Sequence, residues 1–170
     1  MYENWKIELW ETPFSKVNGL TMVSLIDDND TLSITLEAAR SSERPRWKVS
    51  FKTYPAYRNL LEEIRLELWS YLNESNQRIC NSAIILDSPW INELNVNEPL
   101  LDVHFSNLNH YLISTEDDVI EVLAKSVSIV ELGNTDQDEP LPGKSTVLHF
   151  PKDFKSVKKL FNTLRGNHNG

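Results

Sequence analysis

Cysteine is nearly absent from this chain of 170 residues: Cys80 stands alone. That excludes an internal disulfide and a cysteine-rich zinc site. A lone thiol suits a reducing cytoplasm. Its neighbours Ile79, Ala83, Ile84, Ile85 and Leu86 predict a buried, inert side chain rather than a nucleophile. Glycine is also scarce. Gly19, Gly133, Gly143, Gly166 and Gly170 are too far apart for G-x-G-x-x-G or G-x-x-x-x-G-K-[ST], so the familiar phosphate-cradling loops are excluded. There is no G-x-S-x-G and no H-E-x-x-H. No apolar run approaches the roughly 18 residues of a membrane-spanning helix. Met1-Tyr2-Glu3-Asn4-Trp5-Lys6 lacks the basic and then apolar regions of a secretory signal. These absences predict a cytoplasmic protein without a bound cofactor.

The composition is that of an ordinary globular chain, with 40% hydrophobic and 25% charged residues. A single domain over residues 1–170 is expected, with 133–145 as a surface loop and 166–170 as a frayed tail. The net charge of -8 is unevenly spread. Residues 86–143 carry 12 acids and one base, Lys125, whereas residues 144–170 carry six bases and one acid, Asp153. The acidic middle opposes nucleic acid and anionic membrane. It favours a cationic partner and speeds its arrival. A basic stretch at Arg40, Arg44, Arg46, Lys48, Lys52 and Arg58 is interleaved with Trp47, Phe51, Tyr54 and Tyr57. Trp47, Val49 and Phe51 alternate with Lys48, Ser50 and Lys52, which is a strand's period rather than a stacking surface.

The same period predicts a first strand at 5–9, then a hairpin of 20–26 and 31–37 turning at Asp27-Asp28-Asn29-Asp30. Leu32 and Ala38 stand where a calcium loop needs glycine and glutamate. A strand over 46–52 follows. Leu60, Leu61, Ile64, Leu68, Tyr71 and Leu72 share one arc of a helical wheel and predict a helix over 59–72. Further strands are predicted at 78–86, at Leu101-Val103-Phe105, and at 109–115. Trp90 and Ile91 are expected to pin a loop after Asp87-Ser88-Pro89. Residues 115–124 fit either a capped helix or a strand; β-branching favours a hairpin of 109–114 with 118–124. A strand at 127–132, another at 146–150, and a helix at 153–165 complete the chain. The expected fold is α+β: a mainly antiparallel, twisted sheet carrying an internal helix and a C-terminal helix.

Candidate chemistry is sparse. Asp102 and His104 would share one strand face, and His110 lies on the next strand, so a histidine–carboxylate pair could do acid–base work or hold a metal. Glu116, Asp117, Asp118 and Glu121 gather near a turn. Trp10 is out of phase with its strand's inward set. Such a tryptophan, like Trp90 in its loop, can anchor an interface or cover the edge of a small core.

One order of residues resembles a known group. It runs Arg46-x-Lys-Val-x-Phe51, Tyr57-Arg58-Asn59 with Glu62-Glu63, Asp87-Ser88-Pro89-Trp90-Ile91, and His110-Tyr111-Leu112-Ile113-x-Thr115 through Leu123. This is similar to small, mostly uncharacterised bacterial proteins, some of which look like immunity proteins of polymorphic toxin systems. The resemblance spans about residues 46–132. It implies a binding role and brings no catalytic residues. The leading expectation is therefore a non-enzymatic, immunity-like protein-binding module. Glu116, Asp117, Asp118 and Glu121 would steer a basic partner, and Trp90 or Trp10 would anchor it. Two readings stay open beside it. One is an enzyme or metal protein using His104, His110 and Asp102. The other is a self-assembling subunit, with a homodimer as its simplest form.

Overall fold

Alternating apolar and polar residues fold as their period dictates over residues 6–52. The computed structural model describes residues 6–28, 30–75, 79–98 and 101–134. The strands are β1 (Lys6–Leu9), β2 (Leu20–Asp27), β3 (Thr31–Ala38), β4 (Pro45–Lys52), β5 (Ala56–Leu61), β6 (Ser82–Leu86), β7 (Asn109–Ser114), β8 (Asp118–Ala124) and β9 (Ser126–Asn134). The helices are α1 (Leu66–Glu74), α2 (Pro89–Asn97) and the single turn α3 (Leu101–His104). A 3-10 turn at Glu62–Ile64 joins β5 to α1. At the β2–β3 turn, Asp28 Oδ1 accepts the amides of Asp30 and Thr31 at 3.2 and 2.7 Å, the local bonding that favours Asp in turns.

The strands form two antiparallel sheets rather than one. The five-stranded sheet has the order β1-β6-β7-β8-β5, and the four-stranded sheet the order β2-β3-β4-β9. Leu32, Ile34, Leu36, Trp47, Val49 and Phe51 of the second sheet meet Tyr111, Ile113, Ile120 and Val122 of the first in one core. The opposite face of the five-stranded sheet is also covered. There Leu68 and Leu72 of α1 pack on Ala83, Ile85, Leu112 and Val119. A sheet covered on both faces needs near-continuous apolar strands, and β8 is buried from Val119 to Ala124. The fold is α+β, with a helix packed on an antiparallel sheet.

Several expectations are corrected. Residues 59–61 belong to β5, which pairs with β8 from Ala56↔Leu123 to Leu61↔Asp118. The expected helix therefore starts at Leu66. Backbone pairing to a buried neighbour outweighs the helical spacing of Leu60 and Leu61. Leu101 and Val103 lie on α3, not on a strand. Trp90 and Ile91 open α2 rather than sitting in a loop: Ser88 caps that helix by accepting the Ile91 amide at 3.2 Å, and Pro89 takes its first turn. Cys80 is half-buried rather than enclosed. The hairpin 109–114 with 118–124 stands, closed by Thr115, whose Oγ1 accepts the Asp118 amide at 3.0 Å. β9 runs to Asn134, into the expected loop. The rest of that loop, the strand at 146–150, the helix at 153–165 and the tail lie outside the described residues.

Candidate functional site

Parity along β7 and β8 sends His110, Leu112, Val119 and Glu121 to the helix-covered face of the five-stranded sheet. Glu121 is wholly buried there. Its carboxylate takes one guanidinium on each oxygen: Arg58, directly opposite on β5, donates to Oε2, and Arg65, just ahead of α1, donates to Oε1. Burying a carboxylate costs several kcal/mol of hydration, which only well-placed partners offset. Arg58 is partly shielded by Trp90, its guanidinium lying 4.4 Å from that ring's centroid. Trp90 then meets His110 edge-on at 5.4 Å. Ser88 Oγ, already the cap of α2, lies 2.7 Å from His110 Nδ1.

These side chains form one node, with Glu121 and His110 buried and Arg58 and Trp90 partly so. Burial, with the nearby charges of Arg58 and Arg65, pushes His110 down from 6.5 to about 3. So weak a base carries no proton at neutral pH. Glu121, expected among the steering acids, is instead fully buried and paired with Arg58 and Arg65. Trp90 is half-buried over Arg58, and Trp10 covers a core edge, its ring 5.0 Å from that of Tyr111 and 6.3 Å from that of Phe14. Neither tryptophan projects as an anchor. His104 lies exposed on α3, where the strand parity with Asp102 no longer holds, while His110 is enclosed on β7. Among the described residues no three His, Cys, Asp or Glu side chains gather around a metal position.

The remaining acids are placed differently. Glu116 and Asp117 form the exposed β7–β8 turn. The Glu116 carboxylate pairs with Arg40, and its amide donates to the Leu20 carbonyl at 2.9 Å, tying the turn to the other sheet. Arg40 in turn lies along Gly19, whose φ of 71° and lack of Cβ leave room for that side chain. Asp118 is half-buried and accepts from Asn59 Nδ2 at 3.1 Å. The Asp117 carbonyl accepts the Glu62 amide at 2.8 Å, so the turn abuts the 3-10 turn after β5. That neighbour exposes three large apolar side chains close together in sequence: Leu61 at 53%, Ile64 at 61% and Leu66 at 68%. Glu63 is exposed among them and Glu62 half-exposed. Exposed apolar side chains therefore lie beside acids at this corner, a feature absent from the sequence expectations. The signal was present in Leu61, Ile64 and Leu66, but the helical wheel assigned the first two to a core.

A second basic cluster is also accounted for. Arg46 Nε donates to Glu37 at 2.6 Å and Arg44 Nε at 2.9 Å, enclosing Glu37 on the outer face of the four-stranded sheet. Burial raises the Glu37 pKa, and the bonds from Arg46 and Arg44 more than reverse that, holding it below the usual carboxylate range. An open cleft of about 330 Å³ lies among Val17, Ala38, Arg40, Pro45 and Trp47, and no histidine lines it. No helix among the described residues is long and apolar enough to cross a membrane. Comparison of the chain with family models, with curated proteins and with solved structures finds no match.

Proposed function

We propose that this chain is a non-enzymatic, immunity-like protein-binding module of the cytoplasm, and that it docks a basic protein at the corner of β5, the 3-10 turn and the β7–β8 turn. The observation carrying this reading is the exposure of Leu61, Ile64 and Leu66 beside Glu62, Glu63, Glu116 and Asp117. Large apolar side chains left in water between acids have the make-up of an interface centre with a charged rim. The acids steer a cationic surface and set the on-rate; the apolar trio holds it and sets the off-rate. The partner is disabled by occlusion, with no bond made or broken.

The test uses the full chain as bait in lysate of its native host, at low and at high salt, beside a Glu63→Lys/Asp117→Lys variant. A basic protein held by the unsubstituted chain and lost from the variant is then purified. Binding kinetics should show a slower, less salt-sensitive on-rate for the charge variant. Ile64→Ala and Leu66→Ala should instead speed dissociation, by about tenfold for a central anchor. If both kinds of variant retain the same partners with the same kinetics, the corner is not the docking surface.

A further inference from the structure

β9 is the outer strand of the four-stranded sheet, and among the described residues no strand pairs with its other edge. Native sheets usually guard such an edge with lysine, proline or a very short strand. β9 has no lysine or proline and is not short: it spans nine residues, Ser-Val-Ser-Ile-Val-Glu-Leu-Gly-Asn, and Glu131 is its one charge. Its bulge comes late, at Leu132, where Arg46 pairs with Gly133 and Trp47 with Glu131. From Ser126 to Glu131 the pairing to β4 is regular.

The order of side chains along that regular stretch is self-complementary. Val127 and Ile129 pack half-buried against the core between the sheets. Lys125, the exposed bend residue just before β9, and the exposed Glu131 stand at the two ends of this stretch. Along the chain these residues run Lys125, Val127, Ile129, Glu131. Laid against an inverted copy centred on Ser128, Lys125 faces Glu131 of the second copy, and Val127 faces Ile129. On the other face, Ser126 faces Val130 and Ser128 faces itself. A two-fold pairing makes both ion pairs at once, and opposed charges and β-branched pairs are what stabilise neighbouring strands. Centring on Val130 instead would set Glu131 against Ile129 and lose the match.

We infer that β9 is a self-association edge, through which two copies of this chain pair antiparallel about Ser128 and join their four-stranded sheets into one. The occupant is a second copy because the complementarity is of the strand with itself. The inference does not depend on the docking corner, which belongs to the other sheet.

Cysteine placement tests the register. Opposed residues of an antiparallel ladder have Cα atoms about 4.5–5.5 Å apart, within disulfide reach. In the full chain with Cys80→Ser, Ser128→Cys should give a covalent dimer on mild oxidation. Ser126→Cys, whose counterpart lies roughly 14 Å away along the strand, should not. Sedimentation of the unsubstituted chain should show a concentration-dependent dimer. Glu131→Lys sets like charges together twice and should weaken it by about tenfold or more. Lys125→Glu/Glu131→Lys should restore it. A monomer at every concentration, equal cross-linking from both cysteines, or a dimer indifferent to Glu131→Lys would overturn the inference. Should Glu131→Lys fail to fold, the cysteine pair decides alone.

Discussion

Side chains that look functional in a list are here spent on one another. Removing the Glu121 carboxylate would strand Arg58 and Arg65, which is why such pairs are costly to break even when they add little net stability. His110 makes the same point through pH. Its imidazole has a folded value near 3 against an ordinary 6.5, so the unfolded chain takes the proton first. Between those values the unfolded state binds more protons, and stability falls as pH falls, by at most roughly 1.4 kcal/mol per unit. Glu37, with its lowered value, adds a loss of the same sign further into acid. The urea midpoint should therefore drop between about pH 7 and about pH 5, above the main carboxylate range. His110→Asn should start lower and lose most of that slope. A flat profile for the unsubstituted chain would contradict the buried neutral imidazole. None of this was legible in sequence, since Glu121 meets Arg58 and Arg65 across separations of 63 and 56 residues.

Elements were legible where periodicity and burial agree. β2, β3 and β4 show one apolar face because only one face of their sheet meets a core, and β8 betrays itself by the β-branched Val119, Ile120 and Val122. β5 was hidden: Tyr57-Arg58-Asn59-Leu60-Leu61 does not alternate, and its leucines fall in phase with Ile64 and Leu68. α3 misled in the other direction, its Leu101-Val103-Phe105 alternation having no neighbouring strand to pair with. The boundary at Leu66 has a measurable consequence. Leu68 is fully buried under α1 and Leu66 is 68% exposed. Leu68→Ala should cost about 2–5 kcal/mol, and Leu66→Ala no more than about 0.5 kcal/mol. Urea denaturation of both variants checks this; similar losses would place the helix in a different phase.

Across the described residues, one sheet serves two cores. β7 and β8 give Tyr111, Ile113, Ile120 and Val122 to the space between the sheets, and Leu112 and Val119 to the space under α1. Neither core can dissolve without exposing strands that the other needs, so the two should melt together. Far-ultraviolet circular dichroism should coincide with the separate fluorescence changes of Trp47, between the sheets, and Trp69, on α1, each followed in a variant whose other four tryptophans are replaced by phenylalanine. Two separated transitions would show that the helix layer is an independent unit. Burial on both faces also shapes the chain before it folds. Val119 to Ala124 is a run of high β-propensity, and Glu121 is its only charge. Before β8 has paired with β5 and β7, this segment is in water with its two arginines already synthesised. Until then the Glu121 carboxylate interrupts the run and discourages stacking into fibrils. The group that is most deeply hidden in the finished molecule thus guards the nascent chain while it is still in water.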